Sequence, residues 1–317
     1  MGGEAEGDDD RAQGRRVMRT LPLAIAATVL LTQPVAARTL DPAKPEDALE
    51  INKRTTCGVA DGVPAVYYFS GRVYSRVDGE PDKHLFNTEA MNIRQCVAAT
   101  DAKRGKGYRM VSREVLFYTD AKTNAVMREW KNPWTDETVA VMHVNNDPVN
   151  GRPSFPITAD GKPYSVKLQQ VGPWSLTSGV APLFYNNPLA GDYQEYVGGN
   201  YHAMEMLTSS MLTSDLLDTS KPTVYPAIAW GRVSKWLPWM KMRGRQGQLV
   251  FLSSGAKIKS YAELPAVVRD EIAANYPIYN APPPGDDPRP NATTWTVFKA
   301  MVDKQRAEAK PAAAPKE

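Results

Sequence analysis

The chain has three histidines, His84, His143 and His202, and imidazole is the side chain that most readily exchanges protons near neutral pH. His143 follows Val139 and Val141 at a spacing of two, so on a β-strand all three point to one side. If that side is the inside of a barrel, the ring is a buried polar group that needs a partner. Arg94, Arg113, Glu114 and Asp147 are candidates. Interior Arg, Glu and His side chains shift one another's pKa values as active sites do, but a structural network locking hairpins together does the same; the residues leave both readings open. Arg113 alternates in phase with Val111, Val115 and Phe117, while Glu114 points the other way, so Arg113 is the one expected inside beside His143. A buried guanidinium needs a counter-charge. Glu89 or Asp147 would supply it; failing both, a ligand carboxylate would. His143, Arg113 and Glu114 are therefore the candidate catalytic residues, with His143 as acid/base and Arg113 or Arg94 holding an anion.

The second chemical signal is aromatic. Trp230, Trp236 and Trp239 fall close together, followed by Met240 and Met242, and Trp130, Trp134 and Trp174 add to them. Trp couples a flat apolar face to one polar handle, which suits a cavity for a semi-polar organic ligand; an aromatic-rich core is the plainer reading. Trp236-Leu237-Pro238-Trp239-Met240 places more consecutive apolar residues than one strand face can hide. That predicts a loop or short helix plugging a barrel end, or an exposed recognition lip. The expected ligand-binding set is Arg94, Arg113, Trp130, His143, Trp230, Trp236 and Trp239. No nucleotide-binding glycine loop, HExxH or GxSxG is present, and those motifs have fixed, readable geometry. His202 and Glu205 would share a face on a helix, but no spacing is diagnostic of a metal, so neither metal nor cofactor is assigned.

The elements that must position these residues are mostly strands. Pro64 to Val77 alternates, with Tyr67, Phe69 and Val73 on one side and Arg72 and Arg76 on the other, the period of a half-buried strand. Lys83 to Val97 and Tyr108 to Thr119 follow; the latter is apolar on both faces, as in a strand between a barrel interior and a covering layer. Asp120 to Asn124 reads as a turn, Ala125 to Trp130 as the returning strand, and Thr138 to Val144 as the next, stopped by Asn146-Asp147-Pro148. Tyr201 to Leu217 fits either a strand or a helical stripe. Thr223 to Val233 and Gln248 to Ile258 are strands, and Ala262 to Tyr276 is a helix with Pro265 in its first turn. The fold class is mainly β: an antiparallel barrel or strongly curved meander sheet with a few peripheral helices.

The chain also carries an address. Arg15, Arg16 and Arg19 precede the apolar run Leu21 to Leu31, and Val35-Ala36-Ala37 offers small residues for cleavage, the layout of a secretory signal peptide. The run falls short of the roughly 20 residues that span a bilayer. Residues 1–37 are read as the signal, 38–50 as an N-terminal arm, 51–301 as a single β-rich domain and 302–317 as a disordered tail. The expected location is periplasmic or secreted, with no membrane span after cleavage; the general secretory and twin-arginine routes, and Met1 or Met18 as start, both stay open. Cys57 and Cys96 are the only cysteines; an oxidising compartment favours a disulfide between them, the alternative being two buried thiols. Lys and Arg number 38 against 35 Asp and Glu, with no basic block of the kind nucleic acid attracts.

Several ordered segments resemble one family. They are Arg113-Glu114 through Tyr118-Thr119-Asp120; Trp130-Lys131-Asn132-Pro133-Trp134-Thr135; His143 through Asn146-Asp147-Pro148-Val149-Asn150; Trp236 through Met242; and Pro290-Asn291-Ala292-Thr293-Thr294-Trp295. Together they are similar to the bacterial domain-of-unknown-function 1838 (DUF1838) family. The resemblance implies the extent of the domain and export, and carries no activity or site residues. The leading expectation is an exported binder of a small, largely apolar organic molecule, with or without an anionic group, in a barrel cavity. The alternatives are a lyase, isomerase or hydrolase on the same scaffold with His143 as acid/base, and an envelope interaction module using Trp236 to Met242. The sequence leaves the oligomeric state open.

Overall fold

The computed structural model describes residues 37–185 and 200–308. The expected signal peptide, all but its last residue, and the end of the expected tail lie outside the described residues. Within these residues eleven strands run in chain order: β1 (Ala65–Arg76), β2 (Lys83–Asp101), β3 (Gly105–Thr119), β4 (Glu129–Lys131), β5 (Thr138–Ala140), β6 (Val144–Asn146), β7 (Gln169–Val171), β8 (Trp174–Tyr185), β9 (Tyr201–Leu212), β10 (Ala227–Ser234) and β11 (Gln248–Ile258). Among the described residues four α-helices join them: α1 (Pro45–Thr56), α2 (Thr213–Leu217), α3 (Ala266–Asn275) and α4 (Thr294–Glu308).

Nine strands form one antiparallel sheet in the order β6-β3-β2-β1-β11-β10-β9-β8-β7, and β4 pairs with β5 apart from it. Among the described residues the terminal strands β6 and β7 do not pair with each other, so the hydrogen-bonded ladder is open. The sheet is nevertheless strongly curved. Tyr118 on β3 shares one core with Tyr201 and Ala203 on β9. In a flat sheet, five steps of about 4.8 Å would hold β3 and β9 about 24 Å apart.

Each face of the sheet has its own burial. On the convex face, Val66, Met91, Ile93, Val115 and Phe117 pack under Leu264, Val268 and Ile272 of the α3 region. On the concave face, Val73, Phe86, Tyr118, Tyr201 and Phe251 form the largest core with the segment Trp236 to Met242 and with Trp295, Phe298 and Val302 of α4. Cys57, just after α1, is disulfide-bonded to Cys96 on β2, with Cα atoms 5.9 Å apart, inside the reach of such a bridge.

Several expected boundaries move. The N-terminal arm becomes helical from Pro45, because Ala48, Leu49 and Ile51 give it an apolar side to bury. The tail remains helical to Glu308, anchored by buried Val302. The returning strand shrinks to β4, since after the single bridge Thr119↔Val126 the chain leaves the sheet. The strand expected over Thr138 to Val144 splits into β5 and β6, with Val141, Met142 and His143 in neither. Tyr201 to Leu212 is strand and only Thr213–Leu217 is helix.

Candidate functional site

The concave face collects charge. One cross-strand row reads Lys257, Tyr67, Asn92, Glu114 and Asn146 over β11, β1, β2, β3 and β6. A second row sets Glu205 of β9 directly against Arg232 of β10. Because side chains alternate, all of these share one face with Arg94, two residues after Asn92.

The Arg94 guanidinium lies over the Tyr67 ring, 4.3 Å from its centre, and its Nε donates to Asn92 Oδ1 at 2.7 Å. Among the described residues no carboxylate comes within ion-pair distance of it. Burial pulls its pKa down from the usual arginine value. Glu114 accepts from Asn146 Nδ2 at 2.8 Å and likewise has no ion-pair partner among the described residues. Burial pushes its carboxyl above the usual glutamate value and Glu205 adds to that, while the Asn146 hydrogen bond, Arg94 and Arg232 pull the other way. Arg232 does have a partner, Glu205, at 3.2 Å, and donates to Tyr201 Oη at 2.6 Å. Burial works against its charge, but Tyr201 and Glu205 outweigh that and hold its pKa above the ordinary value.

Arg94, Glu114 and Arg232 are surrounded by protein, yet each keeps some accessible surface. Leu116, Phe69 and Trp230 point to the same side. The arrangement is a mixed wall, apolar with a free guanidinium and a carboxyl of raised pKa side by side. It can hold an anionic group, and it can give or take a proton at Glu114.

The sequence-predicted residues divide. Arg94, Glu114 and Trp230 meet on this face. Arg113 does not: it lies on the convex side, where Nε donates to Asp147 Oδ1 at 2.6 Å and Nη1 to the carbonyls of Ile278 and Ala281. Arg289 joins the same Asp147, so the expected counter-ion is present and the group ties β3 to the strap after α3. His143 is not beside Arg113 either. With the strand broken after Ala140, its ring sits against Phe117 at 5.5 Å, and Nδ1 accepts from the Tyr118 backbone N–H at 3.1 Å. Burial lowers its pKa to about 4.

Trp130 and Trp239 pack edge to face at 5.9 Å in the core, and Trp236 lies tilted against Trp134 at 5.0 Å with its Nε1 donating to the Arg245 carbonyl. Trp236 to Met240 are all buried, with a 3-10 turn at Pro238–Met240. The segment is an internal plug, and the expected recognition lip does not exist.

Arg232, Asn92 and Asn146 are not candidate site residues in the sequence, and Glu205 is one only as a neighbour of His202. Helical spacing would pair Glu205 with His202; in a strand the two point to opposite faces, and His202 is exposed against Phe184 at 5.0 Å. The available signal was the alternation of Tyr201, Ala203 and Glu205 against that of Trp230, Arg232 and Ser234, which becomes meaningful once β9 is known to be a strand.

The family model described as Protein of unknown function (DUF1838) matches residues 62–302. No curated protein matches the chain. Among solved structures, the crystal structure of Ail, the attachment invasion locus protein of Yersinia pestis, is similar at 6% identity over 62% of this chain and 98% of that one, with a TM-score of 0.18; a likeness that slight carries no argument.

Proposed function

We propose that this chain, a member of the DUF1838 family, holds a small, largely apolar organic molecule with one anionic group inside its curved sheet, which wraps as an incomplete barrel. The observation that carries the reading is Arg94: a guanidinium taken out of bulk water, oriented by Tyr67 and Asn92, and given no carboxylate of its own among the described residues. A charge placed so is costly unless something pairs with it, and the planar fork of arginine matches a carboxylate. Export remains part of the proposal, with residues 1–37 as signal and a periplasmic or secreted location. The Cys57–Cys96 disulfide supports it, and among the described residues no helix is long and apolar enough to cross a membrane.

The test compares dodecanoate with dodecanol by calorimetric titration. The protein is expected to bind dodecanoate more tightly. Arg94→Gln should weaken dodecanoate binding by tenfold or more, the scale of about 1.5–3 kcal/mol for a hydrogen bond to a charged group, and leave dodecanol unchanged. Equal loss for both ligands, or uptake of neither, overturns the proposal.

A second reading keeps an enzyme on this scaffold with Glu114, not His143, as acid/base, favoured by the raised Glu114 pKa beside an anion-holding arginine. In that case Glu114→Gln binds dodecanoate undiminished, and turnover of whatever substrate co-purifies is lost.

A further inference from the structure

The convex face carries a concavity of its own, independent of the interior. It is a depression of about 440 Å³ over β11, β1 and β2, whose lining includes Ser70, Arg72, Tyr74, Asn87, Glu89 and Asn124. The register explains the convergence. Arg72 stands opposite Asn87, and Ser70 opposite Glu89, so the two charged residues are diagonal neighbours. A shift of register between Val73 and Tyr74 lies beside them; such irregularities re-aim side chains out of the regular pleat.

The charges in this depression are complementary and still do not meet. Arg72 is exposed and makes no hydrogen bond or ion pair among the described residues. Glu89 is buried to 7% exposure, and its carboxylate is held from two sides, by Tyr68 Oη at 2.6 Å on Oε2 and by Asn124 Nδ2 at 2.8 Å on Oε1. Each oxygen keeps a further lone pair for a visitor. Asn87 Nδ2 has only long contacts of 3.4 Å, to Asp120 O and Asn124 Oδ1, so its donors are nearly free. Asn124 itself is fixed by Thr119, whose hydroxyl donates to Oδ1 at 2.7 Å.

We propose that this depression binds a neutral sugar. A fixed carboxylate, a free guanidinium and a loosely held amide around one small space form a mixed set of acceptors and donors, which is what neighbouring hydroxyls, each both donor and acceptor, can satisfy together. The Tyr74 ring, braced by His84 at 5.1 Å, and the exposed Leu252 side chain give a C–H face something to lie on. Glu89 disfavours an anion and Arg72 a cation, so the ligand is uncharged. The strands here are central in the sheet and already paired on both sides, which excludes addition of a peptide strand.

The experiment titrates maltose, cellobiose and diacetylchitobiose into the full chain by NMR or calorimetry, with glucuronate as a charged control. At least one neutral disaccharide should bind in the millimolar range. Arg72→Ala and Tyr74→Ala, both tested for an unchanged circular-dichroism spectrum, should each weaken it about tenfold. Arg94→Gln should leave it unchanged, which separates this site from the interior one. Binding of none of the three sugars, binding that survives both surface substitutions, loss of binding in Arg94→Gln, or stronger binding of glucuronate would each overturn the proposal.

Discussion

His143 is a neutral group in the folded protein at ordinary pH, and its surroundings explain why. Burial dominates and lowers its pKa to about 4, the charge of Glu271 offsetting part of this and that of Arg128 adding to it. The fold favours the uncharged ring, so its contribution to stability is full above the unfolded value near 6.5 and is lost as pH falls toward 4, where the unfolded chain takes up a proton that the folded one refuses. The loss reaches about 3 kcal/mol at most. His143→Leu should flatten that part of the pH dependence, measured by urea unfolding near neutral and at mildly acid pH; parallel decline in both proteins would sink the assignment. Arg113 teaches a related point. Its strand and its face were legible in the sequence, since it does alternate with Val111, Val115 and Phe117. What the pattern could not tell is which face is the interior, because β3 is buried on both. Its more apolar face is the one covered by α3, and Glu114 lies on the concave face. Arg113→Ala should leave dodecanoate binding intact and cost about 1–2 kcal/mol of stability, because Asp147 loses one of two partners and keeps Arg289.

At the level of elements, β1, β3 and β11 were readable from the chain alone, because runs of β-branched and aromatic residues between turn signals suffice for them. β9 was not, because Met204, Leu207, Met211 and Leu212 satisfy a helical stripe as well. Pairing with β8 and β10 decides the matter, and such long-range hydrogen bonds leave no local trace. The Trp236 to Met242 plug was legible as an anomaly, too apolar for a strand, and its two readings differed only in whether something covers it. The curve of the sheet does: Trp239 sits 6.0 Å from Phe86, 5.3 Å from Tyr118 and 5.9 Å from Trp130. Trp239→Ala therefore opens a hole bounded by three ring systems, and an expected loss of about 4 kcal/mol in urea unfolding follows. A change below about 1 kcal/mol, the scale of a surface substitution, would show that the segment lies outside the core.

Across the whole molecule, α1 stands apart from the sheet's main core and is held by a different kind of bond. Arg54, fully buried, donates to the carbonyls of Leu216, Asp215, Asp218 and Lys221. Lys257 reaches from β11 to the carbonyls of Arg54 and Cys57 and to Thr223 Oγ1. Both meet only neutral oxygens, Lys257 at the C-terminal end of α1 and Arg54 around that of α2, where a helix dipole welcomes positive charge, and burial lowers the Lys257 pKa to about 7. Neutral acceptors hold such charges less firmly than carboxylates would, so the covalent bond beside them, Cys57–Cys96, carries weight. It spans 39 residues of chain, for which loop-closure entropy gives about 4 kcal/mol. The double variant Cys57→Ser, Cys96→Ser should lose stability on that scale, with wild type in reductant following it. Because Arg94 lies two residues before Cys96 on β2, the same variant should also bind dodecanoate more weakly at temperatures where it is still folded by circular dichroism. Full stability in reductant would mean that the cation clamp at Arg54 and Lys257 alone secures α1, and the link from disulfide to site would be withdrawn.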